Sequence, residues 1–284
     1  RVEVSRFGRE VSQSAAQVLK SGESLTISIS GGAEKSSGNS DRFVRKVEFD
    51  KSIASDNFER WQEFIAKTVH DPRVTALYTF SAGQNAGATL PNVAADEFHG
   101  RIDGPAWARG RWDGEAALRF QDPADCVHLE FDDRSFEKIT IAAWVNIEKL
   151  SQPHTAIFYS NEWNRPEAMH FTLLGDGRME FALGTCRPVE MQSDHALLQR
   201  RFGRWVHLAV AYDAEAKSVR FYINGVQCGE RTYTQAGPIQ PQNVQIGNWN
   251  QESRAFSGKV DELIVYREAL SEEDVRRIYE AGAP

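Results

Sequence analysis

Hydrophobic and polar residues alternate with a period of two along two consecutive stretches in the second half of the chain. The apolar residues of 206–212 fall on one face of an extended segment, and so do those of 219–223. This period is typical of β-strands with one buried face. Asn224-Gly225 follows the second stretch, and this pair accepts the two positive φ angles of a tight type I′ turn. The pattern predicts a β-hairpin whose returning segment ends near Gln227.

Similar runs recur along most of the chain and are separated by turn residues such as Gly175-Asp176-Gly177. Further strands are predicted at residues 74–80, 116–120, 127–131, 139–147, 156–159, 169–174, 179–183, 244–246 and 260–266. So many strands require two sheets, and they lack the intervening helices of a parallel α/β fold. The expected fold is therefore all-β, a two-sheet antiparallel sandwich with a short N-terminal β appendage, a linking helix and a C-terminal helix.

The linking helix is predicted by apolar residues that recur every three or four positions between Phe58 and Val69. Asp56 and Glu59 are spaced as a capping box, which places the helix at about 57–69. It should end at Asp71-Pro72, since proline disfavours a helical conformation in the residue before it. We expect this helix to pack on the edge of the sandwich.

The C-terminal helix carries a complete set of boundary signals. Ser271 and Asp274 form a capping box, and Leu270 and Val275 are spaced as a hydrophobic staple. Gly282 is predicted to provide a left-handed C-cap.

Composition limits the classes of partner. The chain has 284 residues, 41% of them hydrophobic, and a net charge of −7. This charge argues against nucleic acid as a partner, because such binding relies on clustered Lys and Arg. Cys126, Cys186 and Cys228 form no CxxC pair, so buried free thiols are favoured, with one disulfide left open. No apolar run is long enough to span a bilayer, and the chain reads as an internal fragment of a longer protein, so a membrane is expected only through segments outside it.

Two segments resemble the core of LamG-like jelly rolls of the concanavalin A-like lectin/glucanase superfamily. They are the W-x-H-x-A strand followed by Y-I-N-G-V, at 205–226, and the G-K-V-D-E-L-x-V-Y…A-L-S-E-E-x-V ending, at 258–275. With the 71–131 region, the resemblance covers residues 71–284. It implies a concanavalin A-like jelly-roll domain over those residues.

The N-terminal part resembles a different family. The V-L-K-S-G-E-S-L-T-I run at 18–27 is similar to the last strands of a FecR-type sensor domain. The expected organisation is the tail of a FecR-like β domain at 1–30, a linker and helix at 31–70, and the jelly roll at 71–284. The resemblance implies a FecR-type bacterial envelope sensor that displays a jelly roll outside the cytoplasm, in the periplasm or at the cell surface, tethered by a membrane helix that lies outside this sequence.

Catalytic motifs fail at essential positions. Retaining glycoside hydrolases of this superfamily carry E-x-D-x-E on one strand, and two carboxylates are needed for double displacement. Here Glu130 and Asp132 are followed by Arg134 in place of the second Glu. His207 lies mid-strand opposite the apolar residues and is expected to be structural. We expect no enzyme activity; a carbohydrate-active enzyme with another carboxylate pair is the alternative.

A structural calcium ion is implied by the LamG resemblance. Asp261 matches the residue that supplies a carboxylate in many such domains, and Asn92 and Asp96 lie in the loop that corresponds to the family's calcium segment. Ca²⁺ takes six to eight oxygen ligands of this kind. The alternative is that Asp261 and Glu262 only form hydrogen bonds to the N-terminal strand.

Two Trp-Asn pairs lie outside the apolar strands. Their residues are Trp163, Asn164, Arg165, Trp249 and Asn250. Indole faces stack on sugar rings, while Asn and Arg bond hydroxyls; loop tryptophans that only cover the sandwich are the alternative. The expected function is a non-enzymatic binding or adhesion module for a glycan or cell-surface protein, with a purely structural interaction domain as a further alternative.

Overall fold

The computed structural model describes residues 51–81, 87–197, 201–249 and 254–284, with side chains from residue 56 onward. Helix α1 (Lys51–Thr68) opens this part of the chain and helix α2 (Glu272–Gly282) closes it. The predicted FecR-like tail at 1–30 and residues 31–50 of the predicted linker and helix at 31–70 lie outside the described residues. The strands between the helices are β1 (Val74–Tyr78), β2 (Thr89–Leu90), β3 (Gly100–Asp103), β4 (Ala106–Arg109), β5 (Ala116–Phe120), β6 (Cys126–Glu130), β7 (Lys138–Lys149), β8 (His154–Ser160), β9 (Met169–Leu174), β10 (Met179–Leu183), β11 (Glu190–Gln192), β12 (Trp205–Asp213), β13 (Ser218–Ile223), β14 (Val226–Thr232), β15 (Asn243–Ile246) and β16 (Ser257–Tyr266).

The strands form two antiparallel sheets. The first sheet has the order β14-β13-β12-β7-β16-β5-β4, and β1 also pairs with β16. The second sheet has the order β11-β10-β9-β8-β15-β6-β3-β2. This arrangement confirms the predicted all-β, two-sheet antiparallel sandwich.

The core lies between the sheets and is built by every second residue of the long strands. Tyr212 of β12 stacks on Phe181 of β10 with ring centroids 5.4 Å apart, which joins the two sheets directly. Phe131 and Phe158 lie 5.9 Å apart within the same apolar cluster. Since buried aromatic side chains contribute large apolar areas, these rings account for much of the packing between the sheets.

Both helices pack on the outer face of the first sheet. Val275 and Ile278 of α2 are buried against a second apolar cluster that includes Tyr222, and Phe64 and Ile65 of α1 contact the same cluster. The prediction that α1 packs on the sandwich edge was therefore wrong, because its apolar stripe covers a sheet face. Neither described helix covers the outer face of the second sheet.

The predicted hairpin is confirmed. Asn224 has φ 53° and Gly225 has φ 74°, so both residues take the left-handed conformation that a two-residue type I′ turn requires. Ile223 and Val226 pair across the turn, and β14 returns as far as Thr232.

Helix boundaries differ from two of the predictions. Helix α1 begins at Lys51 rather than after Asp56, since residues 51–55 contain no glycine or proline that would end it. Ser271 caps α2 through the predicted capping box with Asp274. Gly282, however, lies within α2 and is not a left-handed cap. A Cβ at that position would lie 2.6 Å from the Trp144 indole nitrogen, so close packing accounts for this glycine.

Candidate ligand-binding face of the second sheet

The outer face of the second sheet carries the side chains that alternate with the core residues. Tyr159 of β8 pairs in register with His170 of β9 on one side and with Gln245 of β15 on the other. Phe158 and Phe171, one position along on β8 and β9, belong to the core. Because strand side chains alternate between faces, Tyr159 and His170 point away from the core.

Four rings come together on this face, and we call them the aromatic cluster: Tyr159, Trp163, His170 and Trp249. The His170 ring lies between Tyr159, at a centroid distance of 3.9 Å, and Trp163, at 4.1 Å. The Trp249 ring meets His170 edge-on at 5.3 Å. Tyr159 and His170 are buried, whereas both tryptophans are half-buried. The cluster thus places two partly exposed indoles on a buried support.

Hydrogen bonds fix the rings of the cluster. The Trp249 indole N–H donates to the Asn161 carbonyl at 3.2 Å. His170 Nε2 lies 3.1 Å from the Ser160 carbonyl oxygen, and the Tyr159 hydroxyl lies 2.6 Å from Thr172 Oγ1. A platform held in this way loses little side-chain entropy when a ligand binds.

Burial sets the charge of the cluster. It lowers the pKa of His170 to about 3, so the imidazole is neutral at physiological pH and its Nε2–H donates to Ser160. Burial also raises the pKa of Tyr159 to about 12. The Arg254 guanidinium lies 5.6 Å from the Trp249 ring and supplies a positive charge beside this neutral surface.

The structure brings together only some of the residues predicted for ligand binding. Trp163 and Trp249, 86 positions apart in sequence, meet around His170. Asn164 is exposed in the adjoining loop, and Arg165 donates to Gln240 Oε1 at 3.2 Å, away from the cluster rings. Asn250 lies outside the described residues.

Polar side chains continue the outer face beyond the cluster. Glu180 of β10 is buried, accepts a hydrogen bond from Gln192 Nε2 at 2.9 Å and has His154 Nε2 at 3.9 Å. Burial is the main cause that raises the pKa of Glu180 above its ordinary value. Hydrogen-bonding groups of this kind beside stacked rings suit a ligand that is both apolar and hydroxylated.

At β3 and β6 the same face carries a group of metal-ligating residues. Asp103 pairs with Cys126 across the two strands, and His128 lies two residues further along β6. Cys126 Sγ is 3.1 Å from His128 Nε2, and Asp103 Oδ2 is 3.5 Å from the same nitrogen. Burial raises the pKa of Cys126 to about 11 and lowers the pKa of His128. His128 and Arg101 also line a cleft of about 330 Å³.

Asp261 and Glu262 occupy a buried ion-pair network on the other sheet. Glu262 has φ 52° at a register shift of β16, and this bulge directs two consecutive carboxylates toward the same segment. Asp261 Oδ2 accepts the Arg111 backbone N–H at 2.9 Å, and Glu262 Oε2 accepts from Arg111 Nη2 at 2.9 Å and from the Trp61 indole. The partners are therefore the loop after β4 and helix α1, not the N-terminal strand.

The residues predicted to bind calcium lie in separate networks. The Asn92 side-chain oxygen accepts from the backbone N–H groups of Leu77 and Ala94, and its amide nitrogen donates to two carbonyls. Asp96 is exposed. Burial raises the pKa of Asp261 to about 7, and its carboxyl already accepts the Arg111 backbone N–H. These three side chains, in separate places and with Asn92 and Asp261 already hydrogen-bonded, fit poorly a site for Ca²⁺, which requires six to eight oxygen ligands.

The remaining residues considered for catalysis have structural surroundings. His207 is buried, lies 5.3 Å from the Trp144 ring, and has its pKa lowered to about 3 by burial. Arg134, in place of the second glutamate of the hydrolase motif, pairs with Glu97 at 2.7 Å. The three cysteines are buried and free.

The comparisons with known proteins assign the family. The sequence pattern of the Laminin_G_3 family, described as a concanavalin A-like lectin/glucanases superfamily, matches residues 124–276, more than half of the chain. The chain belongs to this family. The Laminin_G_3 match includes Trp163, Trp249 and their support His170. The search of curated proteins found no match.

Solved structures resemble this Laminin_G_3 chain in fold. Domain 4 of AbnA, a GH43 extracellular arabinanase from Geobacillus stearothermophilus in complex with arabinotriose, is 23% identical, with a TM-score of 0.53 over 73% of this chain and 98% of that one. The receptor binding domain of botulinum neurotoxin D is 13% identical, with a TM-score of 0.58 over 73% of this chain and 52% of that one. The binding domain of Paraclostridial Mosquitocidal Protein 1 is 15% identical, with a TM-score of 0.55 over 72% and 52%. The chain thus spans about half of either toxin domain. At these identities the likeness shows the concanavalin A-like fold alone.

Sequence reasoning missed the residues that support the tryptophans. Tyr159 and His170 stand in strands predicted from alternation, at the positions that face away from the core. An aromatic or histidine residue at an outward strand position is the signal that would have pointed to them.

Proposed function

We propose that this domain is a non-enzymatic carbohydrate-binding module whose ligand stacks on the aromatic cluster. The observation that carries the proposal is the meeting of Trp163 and Trp249 around the buried His170 ring, on the sheet face that neither described helix covers. Two half-buried indoles on a rigid support offer the apolar face of a sugar ring a matching surface.

Polar groups near the aromatic cluster would orient a bound sugar. Arg254 lies beside Trp249, and the buried carboxyl of Glu180 lies on the neighbouring strand β10. A sugar presents hydroxyl groups around the rim of its ring, so charged and amide groups beside a stacking platform would bond them. The arabinotriose held by domain 4 of the arabinanase AbnA supports a glycan as the class of ligand.

For the whole protein we propose an extracytoplasmic role. The resemblance of residues 18–27 to FecR-type domains supports a bacterial envelope sensor that displays this domain in the periplasm or at the cell surface. The structure has no helix, within the residues it describes, that is long and apolar enough to cross a membrane.

Glu180 favours a second candidate, a carbohydrate-active enzyme. A buried carboxyl with a raised pKa is what glycosidases use as a general acid. Glu180 has these properties and lies on the same face as the aromatic cluster. Against this candidate, the motif that would supply paired carboxylates ends in Arg134, which is engaged with Glu97.

Two assays on one preparation separate these functions. A glycan array that includes arabino-oligosaccharides measures binding, and release of reducing sugar from arabinan and β-glucan measures hydrolysis. Binding without release supports the module. Release that is lost in Glu180→Gln would establish the enzyme, and absence of both would favour a protein-interaction domain.

A further inference from the structure

The outer face of the second sheet carries a second group of residues, more than a strand away from the aromatic cluster. Asp103, Cys126 and His128 offer a carboxylate oxygen, a thiol sulfur and an imidazole nitrogen that all lie within 4.8 Å of one another. Among the described His, Cys, Asp and Glu residues, this is the one group of three whose ligand atoms lie so close together. None of these three residues belongs to the proposed carbohydrate site.

The backbone holds these ligands in place. Asp103 and Cys126 are direct partners in the antiparallel pairing of β3 and β6, and His128 shares the face of Cys126 because two residues separate them. Gln245 of β15, the register partner of His128, has its amide nitrogen 3.5 Å from Nδ1. A histidine that binds a metal through Nε2 donates its Nδ1–H to an acceptor, so the Gln245 amide must turn its oxygen toward Nδ1 to become this partner.

We propose that Cys126, His128 and Asp103 bind a zinc-type divalent transition-metal ion. Thiolate sulfur and imidazole nitrogen are the ligands that such ions prefer, whereas Ca²⁺ and Mg²⁺ prefer oxygen alone. Three protein ligands leave a fourth position for water or a ligand. His128 also lines a neighbouring cleft of about 330 Å³, together with Glu130 and Asp132.

Two of the three separations between ligand atoms are close to those that a tetrahedral ion needs, and the third, between Cys126 and Asp103, is within 4.8 Å. With Zn–S of about 2.3 Å and Zn–N and Zn–O of about 2.0–2.1 Å, tetrahedral angles require an S···N separation of about 3.6 Å and an N···O separation of about 3.4 Å. Cys126 Sγ and His128 Nε2 are 3.1 Å apart, and His128 Nε2 and Asp103 Oδ2 are 3.5 Å apart. The thiol and imidazole therefore need to separate by only about half an ångström.

One neighbouring group competes with the metal. Arg101 Nη1 lies 3.2 Å from Asp103 Oδ2, and both side chains are more than half exposed. An exposed pair of this kind is weak, so the carboxylate can exchange the guanidinium for an ion. Removal of the guanidinium in Arg101→Gln should tighten metal binding by up to about fivefold.

Cobalt titration of the chelator-treated full chain tests the proposal, because Co²⁺ bound to thiolate gives an intense charge-transfer band in the near ultraviolet. We expect this band at one equivalent of Co²⁺, its loss on addition of Zn²⁺, and no effect of Ca²⁺. Cys126→Ser should abolish it. Asp103→Asn, which changes an exposed side chain and should not disturb folding, should weaken Co²⁺ binding by more than about tenfold.

Cys186→Ser is the matched control, since Cys186 is also a buried free thiol but bonds the Tyr212 hydroxyl at 3.3 Å. It should keep the full band. Absence of the band in the wild-type chain, its persistence in Cys126→Ser, or its loss in Cys186→Ser would overturn the proposal. Far-ultraviolet circular dichroism of each variant shows that the fold is kept.

Discussion

The turn between β13 and β14 gives the most exact energetic prediction, because the chain offers a matched control for it. Gly225 and Gly203 both have φ 74°. An ideal Cβ at Gly203 has no atom within 4 Å, whereas a Cβ at Gly225 lies 3.0 Å from Arg276 Cα and 3.0 Å from Tyr279 Cβ of helix α2. Replacing each glycine with alanine therefore separates the cost of backbone conformation from the cost of contact.

The magnitudes follow from these two costs. A left-handed conformation costs a residue with a Cβ about 1–2 kcal/mol, which both variants share. Gly225→Ala also pushes on the α2 backbone, and overpacking of this kind costs about 1–3 kcal/mol. We expect Gly203→Ala to lower the free energy of unfolding by about 1–2 kcal/mol and Gly225→Ala to lower it by about 2–5 kcal/mol.

Equilibrium unfolding in urea measures both values, with the slope of the transition expected to be the same in each variant. Equal losses in the two variants would refute the close approach of the hairpin to α2. Unchanged stability of both would refute the left-handed turn itself. A bulkier Gly225→Val should cost at least as much as the alanine variant, since a β-branched residue resists positive φ.

Three further results are expected. Asp261 has a pKa of about 7 in the folded chain, whereas in the unfolded chain it releases its proton near the ordinary aspartate pKa. The folded state therefore binds the proton more tightly, and stability should fall as pH rises through about 7. Melting curves between about pH 5 and pH 8 should show this dependence, and Asp261→Asn should flatten it. Calcium at Asp261 stays a prediction of the family resemblance, and the hydrogen bond that its carboxyl accepts from the Arg111 backbone N–H predicts that adding Ca²⁺ to chelator-treated protein leaves its melting temperature unchanged; a rise that Asp261→Ala abolishes would establish the ion. Gly282→Ala should lower the melting temperature although alanine favours helix by about 1 kcal/mol, because its Cβ would meet the Trp144 indole; a higher melting temperature would show that α2 can shift.

Many of the strands and the N-cap of α2 could be predicted from the sequence because their signals are local. The strands at 116–120, 169–174 and 179–183 were placed at their observed bounds, and Ser271 at its observed cap, since alternation and capping depend only on neighbouring residues. The short strands β2, β3 and β4 were missed. With two to four residues each, they are too short for a period to show, and their pairing with β3, β6 and β5 determines them.

The candidate sites were predictable only in part, because the pairing of strands determines which of their residues meet. The tryptophans were found by their type, whereas the register of β8, β9 and β15 places Tyr159 beside His170, which contacts both tryptophans. Asp103 lies in the missed strand β3, so no local pattern predicts that it pairs with Cys126. The Arg111 network was also missed, because a bulge at Glu262 reverses the alternation expected from the strand pattern.

The central claim, that the aromatic cluster binds carbohydrate, is tested most directly by one glycan array probed with four proteins. These are the wild-type chain, Trp163→Ala, Trp249→Ala and, as a matched control, Trp205→Ala, which removes a half-buried tryptophan from the first sheet. Loss of a stacking ring should weaken binding by roughly five- to tenfold or more, as aromatic contacts contribute about 1 kcal/mol beyond the area they bury. The account predicts glycan binding by the wild-type and control chains and reduced binding by both cluster variants, with all four folded. Full binding by both cluster variants, or no glycan binding by the wild-type chain, would contradict it.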